Sequence, residues 1–257
     1  MCNTWSGVVR RDGVCFSMVN QPDHNEIIEA AGLKADTADK DGMKFARVEI
    51  TPPEGDYSLP LAKWVFRVDE KIKPTWLAAK HESSARRALK AWAREHIVRK
   101  GEREVKDGEF VLFIGRTTGL VSGGAAWFYD RSTGTVCGGK AWFYDHSTGL
   151  VGGGKVWFFD RSTGLVRGGK AWFHDRSTGL VSGGAAWFYD RSTGTVCGGE
   201  AWFYDRSTGT VYGGKAWFRD QSTRVEALKG KGALDMYEDM ERWRDKCIAA
   251  LGGKEGK

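Results

Sequence analysis

The sequence lacks any run of roughly 18 consecutive apolar residues, the length that a membrane-spanning helix requires. Its first residues, MCNTWSGVVRRDG, lack the charged-then-apolar order of a secretory signal. Cysteine is also sparse, with five residues, no CxxC pair and therefore no disulfide framework. We therefore expect a cytoplasmic protein with reduced thiols and no contact with a membrane.

Signatures of common site chemistries are missing as well. The sequence contains no phosphate-binding loop, no Gly-x-Ser-x-Gly motif and no obvious carboxylate pair. The histidines His81, His96, His146 and His174 do not have the spacing of metal ligands. We accordingly predict no cofactor and no metal site.

Glycine and tryptophan, in contrast, are abundant, with 35 and 12 residues in a chain of 257. Tryptophan recurs every 15 residues from Trp127 to Trp217, and one repeat unit reads AWFYDHSTGLVGGGK. Aromatic and β-branched residues separated by Gly-Gly and Ser-Thr-Gly indicate short strands joined by tight turns. A period of 15 residues predicts a mainly β fold, a β-solenoid (β-helix) of about seven to eight coils.

The repeat occupies the middle of a three-part chain. We predict a small α/β N-terminal domain over 1–110, the 15-residue-repeat β-solenoid over 111–221, and a helical cap and tail over 222–257. Within the first part, the pattern predicts a hairpin over 6–17, a helix over 25–31, strands over 44–50 and 62–68, a helix over 74–100, and then a charged link over 100–109. In the last part, a helix is expected over 234–251.

Alternation along each strand assigns the repeat positions to the two faces of a sheet. The invariant Phe and Val rows and the Ala row belong to the interior, whereas the row after Phe accepts His174 and Arg219 and should face water. Tryptophan shares that outer side. A covering segment, a homodimer contact and a platform for another molecule are the three interpretations of this Trp column. Its members are Trp127, Trp142, Trp157, Trp172, Trp187, Trp202 and Trp217.

An aspartate also recurs once per coil, from Asp130 to Asp220. Carboxylates stacked about 4.8 Å apart repel one another unless each is compensated. The motif D-x-S-T-G is typical of an Asx turn, in which the carboxylate accepts backbone N–H groups. Neighbouring arginines such as Arg161, Arg176 and Arg191 are expected to screen the column further.

The first 95 residues contain a distinctive sequence pattern. The pattern MCNTWS…EIIEAAGL…KFARVEITPP…WVFRVDE…PTW is similar to the N-terminal region of uncharacterised bacteriophage and prophage proteins in which such a domain precedes a repeat tract. The resemblance implies a phage origin, hence the cytoplasm of a bacterial host, and implies no activity. By analogy with small phage accessory proteins, it favours a host protein as partner.

An enzymatic alternative rests on Cys2. Removal of Met1 would free an N-terminal cysteine that resembles the nucleophile of class II glutamine amidotransferases, with His24 as a base. Those enzymes begin Met-Cys-Gly, whereas Asn3 follows Cys2 here. The alternative is therefore an amidohydrolase or amidotransferase whose solenoid is a scaffold.

Two further alternatives use the solenoid surface. The Trp column with the arginines and with Lys140, Lys155, Lys170 and Lys215 offers stacking and charge to a nucleic acid. Ala125, Ala185 and Glu200 interrupt the Lys row, however, and Asp offsets Arg. Thr-Gly-Thr units at 133–135, 193–195 and 208–210 resemble the threonine ladders of insect antifreeze solenoids, although leucine replaces the second threonine in other coils.

The interpretation we favour is a non-enzymatic binding protein with a host-modulating or anti-defence role, which recognises a host protein or a second copy of itself through one side of the rod. The predicted binding residues are the seven tryptophans of the column together with Tyr144, His174, Arg161, Arg176 and Arg191.

Overall fold

The computed structural model describes residues 5–18, 23–33, 43–71 and 73–225. The chain forms two compact units, Met1–His96 and Ile97–Lys257. Among the described residues, no helix is both long and apolar enough to cross a bilayer. Cys2 and the predicted C-terminal helix over 234–251 lie outside the described residues.

The first unit contains an antiparallel four-stranded sheet in the order β2-β1-β3-β4. Its strands are β1 (Ser6–Arg10), β2 (Cys15–Phe16), β3 (Phe45–Thr51) and β4 (Val65–Val68). The predicted hairpin over 6–17 is confirmed. Gly13, with φ 94°, donates its N–H to the carbonyl of Arg10 and closes the turn.

Two α-helices accompany this sheet, together with single 3₁₀ turns at Pro53–Gly55 and Leu61–Lys63. Helix α1 (His24–Ala30) begins with a capping box, because Asp23 accepts the N–H of Glu26 and Glu26 accepts that of Asp23. Helix α2 (Ala79–His96) starts later than the predicted residue 74. The His81 ring accepts the N–H of Ala78 and so marks the start of the helix.

The second unit is a β-solenoid built from two parallel nine-stranded sheets, so that each coil of 15 residues gives one strand to each. We name them the Trp sheet and the Thr sheet. The Trp sheet contains β5 (Ile97–Val98), β7 (Phe110–Ile114), β9 (Ala125–Tyr129), β11 (Lys140–Phe143), β13 (Lys155–Phe158), β15 (Lys170–Phe173), β17 (Ala185–Phe188), β19 (Glu200–Phe203) and β21 (Lys215–Phe218). The Thr sheet contains β6 (Glu102–Val105), β8 (Thr118–Val121), β10 (Thr133–Val136), β12 (Thr148–Val151), β14 (Thr163–Val166), β16 (Thr178–Val181), β18 (Thr193–Val196), β20 (Thr208–Val211) and β22 (Thr223–Val225).

The solenoid begins before the first recognisable repeat. The prediction placed its start at residue 111 and a charged link over 100–109, whereas β5 and β6 already pair in parallel with β7 and β8. This first coil has neither tryptophan nor a Ser-Thr-Gly turn, and only Val105 in β6 is buried. Residues 97–225 therefore form nine coils, because backbone pairing continues where the side-chain signature is absent.

The core of the solenoid consists of the predicted Ala, Phe and Val rows. In the Phe row, which recurs every 15 residues from Phe113 to Phe203, each side chain is fully buried, and adjacent rings stack with centroids 4.4–4.9 Å apart. Each ring packs against the glycine row of the Thr sheet. A Cβ atom at Gly164 would lie 2.5 Å from Cζ of Phe158, so the large phenylalanines fit only because the opposite row has no side chain.

Gly164→Ala should therefore destabilise the solenoid by about 1–3 kcal/mol through overpacking against Phe158 and Phe173. Chemical denaturation followed by circular dichroism measures the change in unfolding midpoint. Gly152→Ser is the matched control, since a Cβ there would meet only Val136 O at 3.8 Å and other coils hold Ser122 or Ser182 in that slot. Equal midpoints for the two variants would contradict this account of the glycine row.

Candidate functional site

The seven tryptophans lie on the outer surface of the Trp sheet, where period-two alternation placed them. Their indoles form one stack, with adjacent centroids 4.3–5.0 Å apart and interplanar angles of 8–13°. Each is half-buried by its neighbours except Trp217 in the last coil, whose exposed fraction is 39%. In-register pairing, such as Trp142 opposite Trp157, imposes this stack.

A second aromatic stack runs beside the first, two residues further along each strand. Its rings have centroids 4.9–5.1 Å apart and interplanar angles of 6–12°. It consists of Tyr129, Tyr144, Phe159, His174, Tyr189 and Tyr204. These side chains are half-buried, so the position predicted to face water is covered in part by its own stacking. We name the two stacks together the aromatic face.

Stacking determines which part of each ring another molecule can reach. Rings that lie nearly parallel at the strand spacing cover one another's faces and turn mainly their edges outward. Within the described part of the chain, no hydrogen bond engages the indole N–H of a tryptophan of the Trp column. The aromatic face therefore offers apolar edges and N–H donors, and it does not offer ring faces on which a nucleobase stacks.

Charged rows flank the aromatic face on both sides. Lys140, Lys155 and Lys170 are exposed and, with the adjacent glycine turns, line an open groove of about 600 Å³. On the other side the Asp–Arg turns line a second groove of about 500 Å³, in which carboxylates and guanidinium groups alternate from Asp160 to Arg191 and Asp145 is followed by His146. Arg161, Arg176 and Arg191 are all exposed in this groove. The structure thus brings the predicted binding residues onto one side of the rod.

The backbone explains the aspartate row. From Asp130 to Asp220 the aspartates have φ between 48° and 57°, the left-handed region that aspartate tolerates better than most residues. Gly115 takes the same slot in an earlier coil, with φ 78°. The hydrogen bonds across these turns include those of Ser147, whose N–H and Oγ both donate to Tyr144 O. Aspartate is thus selected by turn conformation, a reason that the Asx-turn prediction did not include.

Two side chains on this side of the solenoid have raised pKa values because of their surroundings. Desolvation, followed by the charge of Asp175, raises the pKa of Asp160. Desolvation first, then Tyr204 and Asp205, likewise raises the pKa of Tyr189. His174 Nδ1 lies 3.7 Å from Asp190 Oδ2. The carboxylate column is therefore compensated only in part.

The residues of the enzymatic alternative lie in the first unit. His24 is buried, and its Nε2 lies 3.2 Å from the carbonyl oxygen of Val48. Because Cys2 lies outside the described residues, its pairing with His24 stays a prediction. The fold does bring His24 close to Glu49 and Asp69. The sequence carried no signal for this cluster, because its members come from α1, β3 and the end of β4.

Comparison with protein-family models, with curated proteins and with solved structures found no match to this chain.

Asp160→Asn should raise the free energy of unfolding at pH 7, because it removes a partly desolvated charge that Asp175 repels. The gain should be less than about 1 kcal/mol, because an exposed carboxylate is largely screened by solvent. The folded-state pKa of Asp160 is raised, so its stabilising contribution is complete below the ordinary value of 3.8 and is lost as pH rises through the folded-state value. Asparagine keeps the preference for the left-handed turn and removes the repulsion. The gain should therefore vanish in acid.

Denaturation curves at pH 7 and pH 3 test this, with Asp220→Asn in the same slot of the last coil as the control. Asp220 follows Asp205 and has no later aspartate in the column, so its substitution should have the smaller effect. A midpoint that falls at pH 7 for Asp160→Asn would contradict the repulsion.

Proposed function

We propose that this chain is a non-enzymatic binding protein whose solenoid recognises a partner protein through the aromatic face. The observation that carries the proposal is a double aromatic stack that lies outside the core on a rigid, in-register scaffold. Trp, Tyr and Arg are the residues that most often dominate protein–protein binding energies. All three occur together in the coils of Trp127, Trp187 and Trp202, and every other coil from Trp142 to Trp217 has tryptophan with a tyrosine or an arginine.

The area of the aromatic face determines how far a bound partner must extend beyond it. Six coil spacings of about 4.8 Å separate Trp127 from Trp217, which gives a length of roughly 29 Å. A width of roughly 14 Å across the Lys, Trp and Tyr rows then gives about 400 Å², half of the roughly 800 Å² that each partner buries in a standard interface. A stable complex must therefore extend onto the flanking Lys and Asp–Arg rows, and its association should weaken with salt.

Other uses of the solenoid surface receive less support from the geometry. Nucleic-acid binding by base stacking needs accessible ring faces, whereas the tryptophans of the Trp column turn mainly their ring edges outward. Ice binding needs a regular threonine array, and Leu120, Leu150 and Leu180 interrupt the second outward row of the Thr sheet. The surface of a protein can contact ring edges, indole N–H donors and the flanking charged rows at the same time, so a protein is the better match.

The resemblance of residues 1–95 to phage and prophage proteins supports a bacterial host protein as the partner, and a role in modulating the host or opposing its defence. A second copy of this chain is the competing occupant of the aromatic face. The N-terminal-Cys amidohydrolase alternative assigns the solenoid no recognition role, so it predicts that the aromatic face is dispensable.

The triple variant Trp142→Leu, Trp157→Leu, Trp172→Leu should lose the partner, because leucine removes the indole edges and N–H donors. Leu112 occupies this slot in β7, so leucine suits the strand. Affinity capture from bacterial lysate at two salt concentrations, with mass spectrometry, measures retention. Leu120→Thr, Leu150→Thr, Leu180→Thr is the matched control on the Thr sheet, where Thr135 and Thr195 hold the same slot.

We expect wild type, the Leu→Thr control and Cys2→Ala to retain one host protein that the Trp→Leu variant loses. Light scattering on the same samples reports the oligomeric state. A wild-type dimer that the Trp→Leu variant converts to a monomer would assign the face to self-association instead. Equal capture by all four proteins would refute recognition through the aromatic face.

A further inference from the structure

A second candidate site lies in the first unit, among residues that the proposed function does not use. His24 is the first residue of α1, Glu49 lies in β3, and Asp69 directly follows β4. One imidazole nitrogen and one oxygen from each carboxylate all lie within 4.8 Å of one another. Three elements of the fold therefore converge on one cluster of ligand atoms.

The hydrogen bonding of His24 determines which nitrogen is left for a ligand. Its Nε2 lies 3.2 Å from the carbonyl oxygen of Val48, and because a carbonyl only accepts, Nε2 carries a proton. In the neutral ring the lone pair then lies on Nδ1, which is 3.3 Å from Asp69 Oδ2. Two acceptors at this distance repel each other unless a cation or a second proton lies between them. Metal-binding histidines commonly have this arrangement, with the other N–H donated to a backbone carbonyl.

A second buried histidine of this unit, His81, has a different set of hydrogen-bond partners. The Nδ1 atom of His81 accepts the N–H of Ala78 at 2.9 Å, and its Nε2 lies 3.1 Å from the carbonyl oxygen of Arg11. Both ring nitrogens of His81 are thus occupied by backbone groups. His24 has one backbone partner, and its second nitrogen faces carboxylates. The hydrogen bonds of His81 are complete without a further ligand, whereas Nδ1 of His24 needs a second proton or a cation beside Asp69.

The distances suit a metal ion better than a proton. Two ligands at about 2.0–2.1 Å from a tetrahedral zinc ion lie about 3.3 Å apart, which is the separation of His24 Nδ1 and Asp69 Oδ2. A proton bridges two of the three groups at most, whereas a metal ion engages Glu49 as well. The flexible side chain of Glu49 needs only a small rotation to complete the set.

The surroundings keep these ligands available. The adjacent carboxylate, Glu70, accepts both the backbone N–H and the guanidinium of Arg47, so Arg47 is paired away from Asp69. The N–H of Asp69 donates to Arg47 O at 2.9 Å, which fixes the backbone of the ligand. The Asp69 side chain is 58% exposed. An ion can therefore reach this ligand from solvent and retain water.

We propose that His24, Glu49 and Asp69 form a binding site for a divalent transition-metal cation, with Zn²⁺ as the best match. Imidazole favours Zn²⁺ and other transition metals, whereas Mg²⁺ and Ca²⁺ prefer all-oxygen sites. Three protein ligands leave at least one coordination position for water. The ion would also link the start of α1 to the β3–β4 pair.

Titration calorimetry of the full chain, freed of metal by chelation, tests the site directly. We expect one Zn²⁺ per chain at this site, no comparable binding of Mg²⁺, and a rise in melting temperature with Zn²⁺ concentration. Asp69→Asn should weaken Zn²⁺ binding at least about tenfold and abolish this rise. Asp69 is exposed, so the variant should fold, and circular dichroism verifies that.

Glu29→Gln is the matched control, because it removes one exposed carboxylate of α1 outside the cluster and should bind Zn²⁺ like wild type. Substitution with Co²⁺ separates this site from cysteine thiols, whose coordination gives an intense near-ultraviolet charge-transfer band. A Co²⁺ complex without that band, lost in Asp69→Asn, would support the proposal. Zn²⁺ affinity unchanged by Asp69→Asn, or no binding by wild type, would overturn it.

Discussion

The solenoid depends on parallel, in-register pairing of one coil on the next. Every residue then lies directly above its counterpart, as Trp142, Trp157 and Trp172 do, so each row must tolerate contact with itself at the strand spacing. Phenylalanine meets this condition in the interior only because glycine occupies the opposite row, as the distances from Gly164 to Phe158 and Phe173 show. The near-identity of the coils follows from this one constraint, since a side chain that fits in one coil fits in all.

The same constraint creates the surface. Stacking of identical residues buries the phenylalanines inside the solenoid and half-buries the tryptophans outside it. The tryptophans therefore form one continuous column and are not isolated hydrophobic residues. In-register pairing also stacks carboxylates, and desolvation first, then the charge of Asp175, raises the pKa of Asp160. Aspartate persists there because the left-handed turn favours it and because exposed arginines and solvent screen the column. The aromatic face and its charged borders are thus consequences of the repeat, and the proposed function uses what the repeat imposes.

The first unit positions its chemistry differently. It has no repeat, and His24, Glu49 and Asp69 meet because a helix start, a strand and a strand end converge. Backbone carbonyls orient two of the three members, because Val48 O accepts from His24 and Arg47 O accepts the N–H of Asp69. The chain therefore combines a surface made of many equivalent residues with a cluster of single residues. The proposed metal site and the proposed recognition surface are independent, because no residue belongs to both.

The sequence by itself determined the solenoid, its 15-residue period, and the inward and outward rows, because a repeat confines each residue to a local environment that period-two alternation defines. It did not reveal the coil over 97–110, where backbone pairing continues without Trp or Ser-Thr-Gly. It did not show that ring edges rather than faces point outward, since that depends on the spacing between coils. Only the tertiary structure united His24 with Glu49 and Asp69, because contacts between residues so far apart along the chain arise from packing and leave no local pattern in the sequence.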